Sequence, residues 1–319
     1  MNVSVIIPTR NRSALLATTI RSVLRQQDVD FEIVVVDEAS TDDTRAVIDA
    51  FGDARIRVVR HDTPRGVATA RNAGAAVAVG EWLGFLDDDD LWAPDKLARQ
   101  LTAAGEADRD WVYAGAVNIV DGFRVAHGRP PLPPEAVIAA IRRYDAVPGG
   151  GSNVIVRRAT WLRAGPFDAR LRNTEDWEMW IRLAALGPPA WVCSPLVARR
   201  LHSSNSSLNV EEIVRGTKLI EVLHNTTADW ALMHRWMAQS SLRNGQRRAA
   251  LVHFAKAAAR GEIAGVASDL LVVARAWLPG ALSVSAPPPT EVAAWHREAS
   301  SWLREFEKLL SPAAEEMPR

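Results

Sequence analysis

Four consecutive carboxylates, Asp87-Asp88-Asp89-Asp90, are the densest charge in a chain whose 38 basic and 38 acidic residues otherwise balance. In an extended backbone Asp87 and Asp89 project to one side, and like charges this close repel. A hard divalent cation with oxygen ligands, magnesium or manganese, offsets that repulsion and can bridge to a diphosphate. The other reading is an acidic turn capping the helix expected from Pro94. A second acidic group, Glu175-Asp176-Trp177-Glu178, opens a later helix. Carboxylates stabilise a helix N-terminus by about 0.3–1 kcal/mol. The chemical reading is a general base: displacement of a diphosphate by a hydroxyl needs one carboxylate outside the metal cluster to take the proton. Asp176 is the candidate.

Other residues could serve such a site. Arg10, Arg12, Arg65 and Arg71 could bind phosphate oxygens or neutralise the carboxylates, or be ordinary surface arginines. His202 is a candidate metal ligand or phosphate donor, although a lone loop histidine is commonly neither. Gly149-Gly150-Gly151-Ser152-Asn153 allows close backbone approach to a ligand, or is a plain turn. Trp92 and Trp177 could form a flat wall for a ring, or be core. No GxxxxGK[ST] and no GxGxxG follows the first strand, which argues against a P-loop and against ordinary dinucleotide binding.

The elements that must position these residues alternate. Val3–Ile7, Phe31–Val36, Ile56–Val59 and Trp82–Leu86 read as strands, separated by helical patterns through Leu15–Leu24, Ala46–Ala50 and Val67–Val79. This alternation predicts a parallel, doubly wound sheet, whose ligand crevice lies beyond the carboxyl ends of its strands. The residues there are Pro8-Thr9-Arg10-Asn11-Arg12, Asp37-Glu38, His61-Asp62 and Asp87 to Asp90, so four polar strand ends converge on one rim. Beyond Leu91 a helix over Pro94–Ala104 and strands at Trp111–Val120, Val154 and Val197–Leu201 complete a mixed sheet. From about Val210 helical periods dominate, at Trp230–Leu242, Arg247–Ala259 and Trp295–Leu310, as a separate appendage. Ser203–Ser207 reads as a flexible polar stretch, Ser283–Thr290 as a linker, and the tail after Pro312 as frayed.

With 48% apolar and 24% charged residues the chain has material for a core. Zero net charge supplies no general field toward nucleic acid. Cys193 is the sole cysteine, which excludes an internal disulfide and fits a reducing compartment. No basic, apolar leader opens the sequence, so a cytoplasmic location is expected. Ile263–Leu282 carries Asp269, Arg275 and Pro279, which marks a packed helix rather than a membrane span and leaves peripheral membrane contact open.

Five blocks in order resemble family 2 of the glycosyltransferases: Ser4–Arg12, Val34–Thr44, Arg65-Gly66 with Ala70–Gly74, Phe85–Asp90 and Glu175–Leu183. The resemblance covers about residues 1 to 207. It implies an α/β, GT-A-type doubly wound mixed sheet over 1–208, with a nucleotide-binding half and an acceptor half. The helical region 209–319 would serve acceptor binding or homodimer contact. The implied activity is inverting transfer of a sugar from a UDP- or dTDP-linked donor to a small-molecule, glycan or lipid-linked acceptor, with Mn2+ or Mg2+. By resemblance, Pro8, Thr9, Arg10 and Arg12 line the nucleotide pocket, Asp37 accepts from the base ring, and Arg71 faces the phosphates. Asp87 and Asp89 look like the ends of the family's DxD, with Asp88 beside the donor and Asp89 on the metal. His202 matches a histidine used near the diphosphate, and Asp176 matches the catalytic base. Asn153, Glu175, Trp92 and Trp177 are acceptor-side candidates. The family's usual DDGS is Asp37-Glu38-Ala39-Ser40 here, so Glu38 is expected to alter ribose or base contacts. A nucleotidyltransferase and a non-catalytic sugar-nucleotide binder are the alternatives.

Overall fold

The computed structural model describes residues 1–202, 209–243, 245–277 and 290–310. The polar stretch at Ser203–Ser207, the linker from Ser283 and the tail after Pro312 lie outside them.

The first half winds strand and helix alternately: β1 (Val3–Thr9), α1 (Ser13–Leu24), β2 (Phe31–Glu38), α2 (Thr44–Asp49), β3 (Ile56–His61), α3 (Val67–Val77) and β4 (Trp82–Phe85). β1 pairs in parallel with β2 and β4, and β2 with β3. Both faces are covered, which is why these strands read as continuous apolar runs rather than alternating ones. Val3, Val5 and Ile7 pack with Leu16, Ile20 and Val23 of α1. Ile6 instead joins Ala68, Ala70 and Ala75 of α3.

The second half adds β5 (Leu91–Trp92), α4 (Lys96–Ala107), β6 (Trp111–Val120), β7 (Arg124–Arg129), α5 (Pro134–Ala140), β8 (Ile155–Arg157), α6 (Arg158–Ala164), α7 (Glu175–Leu186) and β9 (Ala190–Arg200). The nine strands form one mixed sheet in the order β3-β2-β1-β4-β8-β6-β9-β5, with β7 on β6. β8 runs antiparallel to both β4 and β6, and this reversal brings the loop before β8 to the carboxyl end of β4.

The remaining helices are α8 (Val210–His224), α9 (Trp230–Arg243), α10 (Arg247–Ala258), α11 (Ile263–Trp277) and α12 (Thr290–Leu310). α9, α10 and α11 share a small core of Ala238, Phe254, Ala257 and Val266. Asp269 of α11 takes Arg235 Nε at 2.7 Å, so this helix is packed through its charge as well as its apolar residues. No helix among the described residues is long and apolar enough to cross a membrane.

α12 departs from the expected appendage. Trp295, Ala299, Trp302, Leu303 and Phe306 share a core with Val117 and Ile119 of β6 and Leu196 and Ala198 of β9. Trp302 Nε1 donates to Pro195 O at 2.9 Å. The boundary at 208/209 therefore does not separate α12 from the core of the sheet. α8 docks on the start of α7: a Cβ on Gly216 would lie 2.1 Å from Thr174 Oγ1, so only glycine permits this approach.

Candidate functional site

The strand ends meet as the alternation predicts. Thr9 Oγ1, leaving β1, donates to Asp88 Oδ2 at 2.7 Å. Arg12 Nη1 donates to Asp88 Oδ1 at 3.0 Å and to Asp89 Oδ2 at 2.9 Å. Asn11 adopts the left-handed region with φ 53°. There its N–H donates to Ser40 Oγ at 3.0 Å, and its Oδ1 accepts from Thr41 N at 2.8 Å. The loops after β1 and β2 are thereby locked together. Arg10 is exposed at the same rim and Pro8 is buried within β1.

Each of the four aspartates has a different environment. Asp87 faces the cleft with its side chain 39% exposed, and its Oδ1 takes Arg71 Nη2 at 2.6 Å. Asp88 is buried, and burial plus the charge of Asp89 push its pKa up to about 6 against the pull of Arg12. Burial also opposes ionisation of Asp89, but the hydrogen bond from His202 and the charge of Arg12 outweigh it and hold its pKa below the usual carboxylate value. Asp90 is pushed well upward by burial and by repulsion from Asp89 and Asp87. Its Oδ2 accepts from Ser152 Oγ at 2.6 Å and its Oδ1 from Arg200 N at 3.1 Å.

Oxygens of Asp87, Asp89 and Asp90 lie within 4.8 Å of one another. Three convergent hard oxygen donors fit a divalent cation. Of the three, Asp90 is committed to Ser152 and Arg200, which leaves Asp87 and Asp89 as the better ligands. His202 Nε2 lies 2.9 Å from Asp89 Oδ2 and so orients that carboxylate.

The carboxylates of α7 reach this rim through one arginine. Arg71, 2% exposed, donates through Nη1 to Glu175 Oε1 at 2.8 Å and through Nη2 to Asp87. Burial raises Glu175 to about 7, Arg71 opposes, and repulsion from Asp176 adds to the rise. Its Oε2 is buried with no hydrogen-bond partner among the described residues. Asp176 is half-buried, and its Oδ1 accepts from Trp177 N at 2.8 Å. Loss of surrounding water raises its pKa, with Arg71 opposing and Asp87 adding to the rise. The glycine loop closes over this pair with positive φ at Gly149 (82°) and Gly150 (56°). A Cβ on Gly150 would lie 2.9 Å from Asp176 Oδ2, and one on Gly151 would lie 2.4 Å from Arg71 Nη2.

Several expected contacts are corrected by burial. Trp92, 1% exposed, donates Nε1 to Ser152 O at 2.7 Å and offers no ring face to an acceptor. Trp177, 2% exposed, donates Nε1 to Ile141 O at 2.6 Å and is core. Asn153 is buried with its amide tied to Ala114 N, Ala114 O and Pro148 O, so it braces the glycine loop. Glu175 is turned inward to Arg71. Arg71 itself is sealed between Asp87 and Glu175. Glu38 holds the loop before α3, accepting through Oε2 from Arg65 N at 2.7 Å and Gly66 N at 2.6 Å and through Oε1 from His61 Nδ1. Asp37 is buried, with Oδ1 on Ser40 N and Oδ2 on Arg60 Nη1, both at 2.8 Å.

Three contributors were missed by sequence reasoning. Ser152 bridges Asp90 Oδ2 and Asp87 N and lies inside the glycine-rich stretch that had drawn notice. Arg60 pairs with Asp37, and alternation along β3 gives no sign of it. Asp145, after α5, is exposed by surface area yet crowded by protein, and desolvation with the charge of Asp176 raises it well above its ordinary value.

The model of glycosyl transferase family 2 matches residues 4–163, half of the 319-residue chain. The chain belongs to glycosyl transferase family 2. Among its relatives is the UDP-Glc:alpha-D-GlcNAc-diphosphoundecaprenol beta-1,3-glucosyltransferase WfgD of Escherichia coli. That protein is 28% identical over 181 residues, 57% of this chain and 69% of the relative. Residues 1–349 of S. aureus TarS, solved with UDP-GlcNAc, match with TM-score 0.59 and 19% identity over 76% of this chain and 72% of that one. In the longer TarS chain the match spans 43%. The mannosyltransferase PcManGT of Pyrobaculum calidifontis, solved with GDP-Man and Mn2+, matches with TM-score 0.54 and 19% identity over 97% of this chain and 86% of that one. These likenesses identify the mixed α/β sheet as the GT-A fold. Membership of the family makes this glycosyltransferase an enzyme and sets aside the nucleotidyltransferase and the non-catalytic binder.

Proposed function

We propose that this glycosyltransferase moves a sugar from a UDP- or dTDP-linked donor to an acceptor hydroxyl with inversion, and that it depends on a divalent cation. The observation that supports the reading is the bridge from Asp87 through Arg71 to Glu175, the neighbour of Asp176: carboxylates suited to a cation and a carboxylate suited to take a proton share one rim. A cation on Asp87 and Asp89 would supply Lewis-acid neutralisation of the departing diphosphate. Thr9 and Arg12 fix the carboxylates, and Arg71 fixes Asp87 relative to α7. The acceptor oxygen attacks the anomeric carbon, its proton passes to Asp176, and the bond to the diphosphate oxygen breaks on the opposite face. The donors named for WfgD and TarS favour a UDP sugar. The acceptor class, small-molecule, glycan or lipid-linked, is served by the half of the sheet beyond β4.

The test is release of nucleoside diphosphate from a panel of UDP-, dTDP- and GDP-sugars with manganese, with the anomeric configuration of the product read by NMR. Inversion with a UDP or dTDP sugar is expected. A retained anomer, or turnover restricted to GDP-sugars, would contradict the reading.

A further inference from the structure

Lys96, the first residue of α4, has a fully buried side chain. Its Nζ donates to Gln100 Oε1 at 2.6 Å and lies 3.8 Å from the centre of the Trp92 ring. No carboxylate pairs with it among the described residues, and burial pushes its pKa well below the ordinary lysine value. An amine sealed from water without a counter-ion is costly to a fold. A methionine would fill the same space without that cost. The transfer chemistry makes no use of this amine.

Both neighbours of the amine lead to the glycine loop. Charged or neutral, Nζ donates a hydrogen, so the Gln100 amide turns its oxygen to Lys96 and its NH2 to the opposite side. There Nε2 donates to Asn153 O at 3.0 Å and to Val112 O at 3.4 Å. Trp92, its ring face against Nζ, donates Nε1 to Ser152 O at 2.7 Å. Two consecutive carbonyls of the loop are thus each held by one donor, and Lys96 touches both donors. Gln100, Ser152 and Asn153 are fully buried, so water does not compete for these bonds. The Ser152 hydroxyl, fixed between them, donates to Asp90 Oδ2 at 2.6 Å and accepts from Asp87 N at 3.1 Å. A continuous set of hydrogen bonds and one ring contact therefore runs from Lys96 to the carboxylates at the end of β4.

We propose that Lys96 is a positioning residue for the cation site: through Gln100 and Trp92 it fixes the carbonyls of Ser152 and Asn153, and through the Ser152 hydroxyl it fixes Asp87 and Asp90 relative to each other. It touches neither the sugar donor nor the cation. The inference rests on the reading of Asp87 and Asp89 as cation ligands. Groups that orient ligands from behind typically change metal affinity by about 10–100-fold when removed.

Manganese binding by the full chain with UDP present, read from the electron paramagnetic resonance of the free ion, tests this without turnover. Lys96→Met is expected to weaken manganese binding about tenfold, and Gln100→Met to do the same. The double variant should add little to either, because both residues act along one route. Gln100→Glu separates positioning from packing and carries the comparison if Lys96→Met does not fold. Its carboxylate still accepts from Lys96 but cannot donate to Asn153 O, so manganese binding should weaken although the Lys96 bond is kept. Manganese binding of parental strength in Lys96→Met or in Gln100→Glu, whatever the change in Tm, overturns the proposal and leaves Lys96 a packing residue. Absence of manganese binding by the parent protein removes the cation reading itself, and this inference with it.

Discussion

Nε2 of His202 lies 2.9 Å from Oδ2 of Asp89, the oxygen that Arg12 Nη1 also reaches at 2.9 Å. These two donors keep Asp89 ionised where burial alone would neutralise it. An ionised, oriented carboxylate beside Asp87 is ready to hold a cation. Asp89→Asn is therefore expected to lower kcat/KM by about 10²–10³, and His202→Ala by about 10–100 through loss of orientation. Both should raise the manganese concentration needed for half-maximal release of nucleoside diphosphate. Full turnover in the presence of a chelator would sink the metal assignment.

In the proposed mechanism Asp176 carries a different burden, serving the acceptor and not the donor. Asp176→Asn keeps the shape and the bond from Trp177 N but cannot take a proton. The expected loss in kcat is about 10²–10⁴, with donor affinity in calorimetry within about twofold of the parent. Loss of donor binding in step with kcat would make the residue a donor contact instead.

The pH profile tests the same group. Desolvation and Asp87 raise the pKa of Asp176, while Arg71 holds the rise in check. A raised pKa means that the proton is retained to higher pH, so activity should climb with pH along a limb whose midpoint lies above the ordinary 3.8 of aspartate. Removing the positive charge in Arg71→Met should move that limb further upward, and Arg71→Lys should bring it partly back. An acidic limb that ignores both substitutions would remove Asp176 from the role of base.

Much of this was written in the sequence because burial on both faces forces continuous β-branched runs, and those runs end in polar residues only at the rim. The strand expected at Trp111–Val120 occupies those residues. Arg124–Arg129, by contrast, is a polar edge strand with no apolar run, and it exists because β6 offers it a ladder and α12 covers it. The helical period of Trp295, Trp302 and Phe306 was visible, but its partners in the outer half of the sheet, β9 and β6, lie about 100 and about 180 residues earlier. At the rim, residue type alone could not separate ligand contact from scaffold. Glu38, Asn153 and Trp92 have the chemistry of site residues, and only their partners show that their hydrogen-bonding groups are already in use.

Ala39 sits where the related block carries glycine, and its φ of 56° lies in the left-handed region. An L side chain there costs roughly 1–2 kcal/mol, and glycine removes that strain at some cost in unfolded-chain entropy. Ala39→Gly is thus expected to stabilise the protein by about 0.5–1 kcal/mol, a rise of roughly 1–3 °C in Tm by calorimetry. Asn11 has a similar φ of 53°, but its side chain accepts from Thr41 N. Asn11→Gly should therefore lower Tm, since the backbone gains little and the link between the two loops is lost. Matching shifts of the same sign in both variants would show that backbone strain is not what separates these positions.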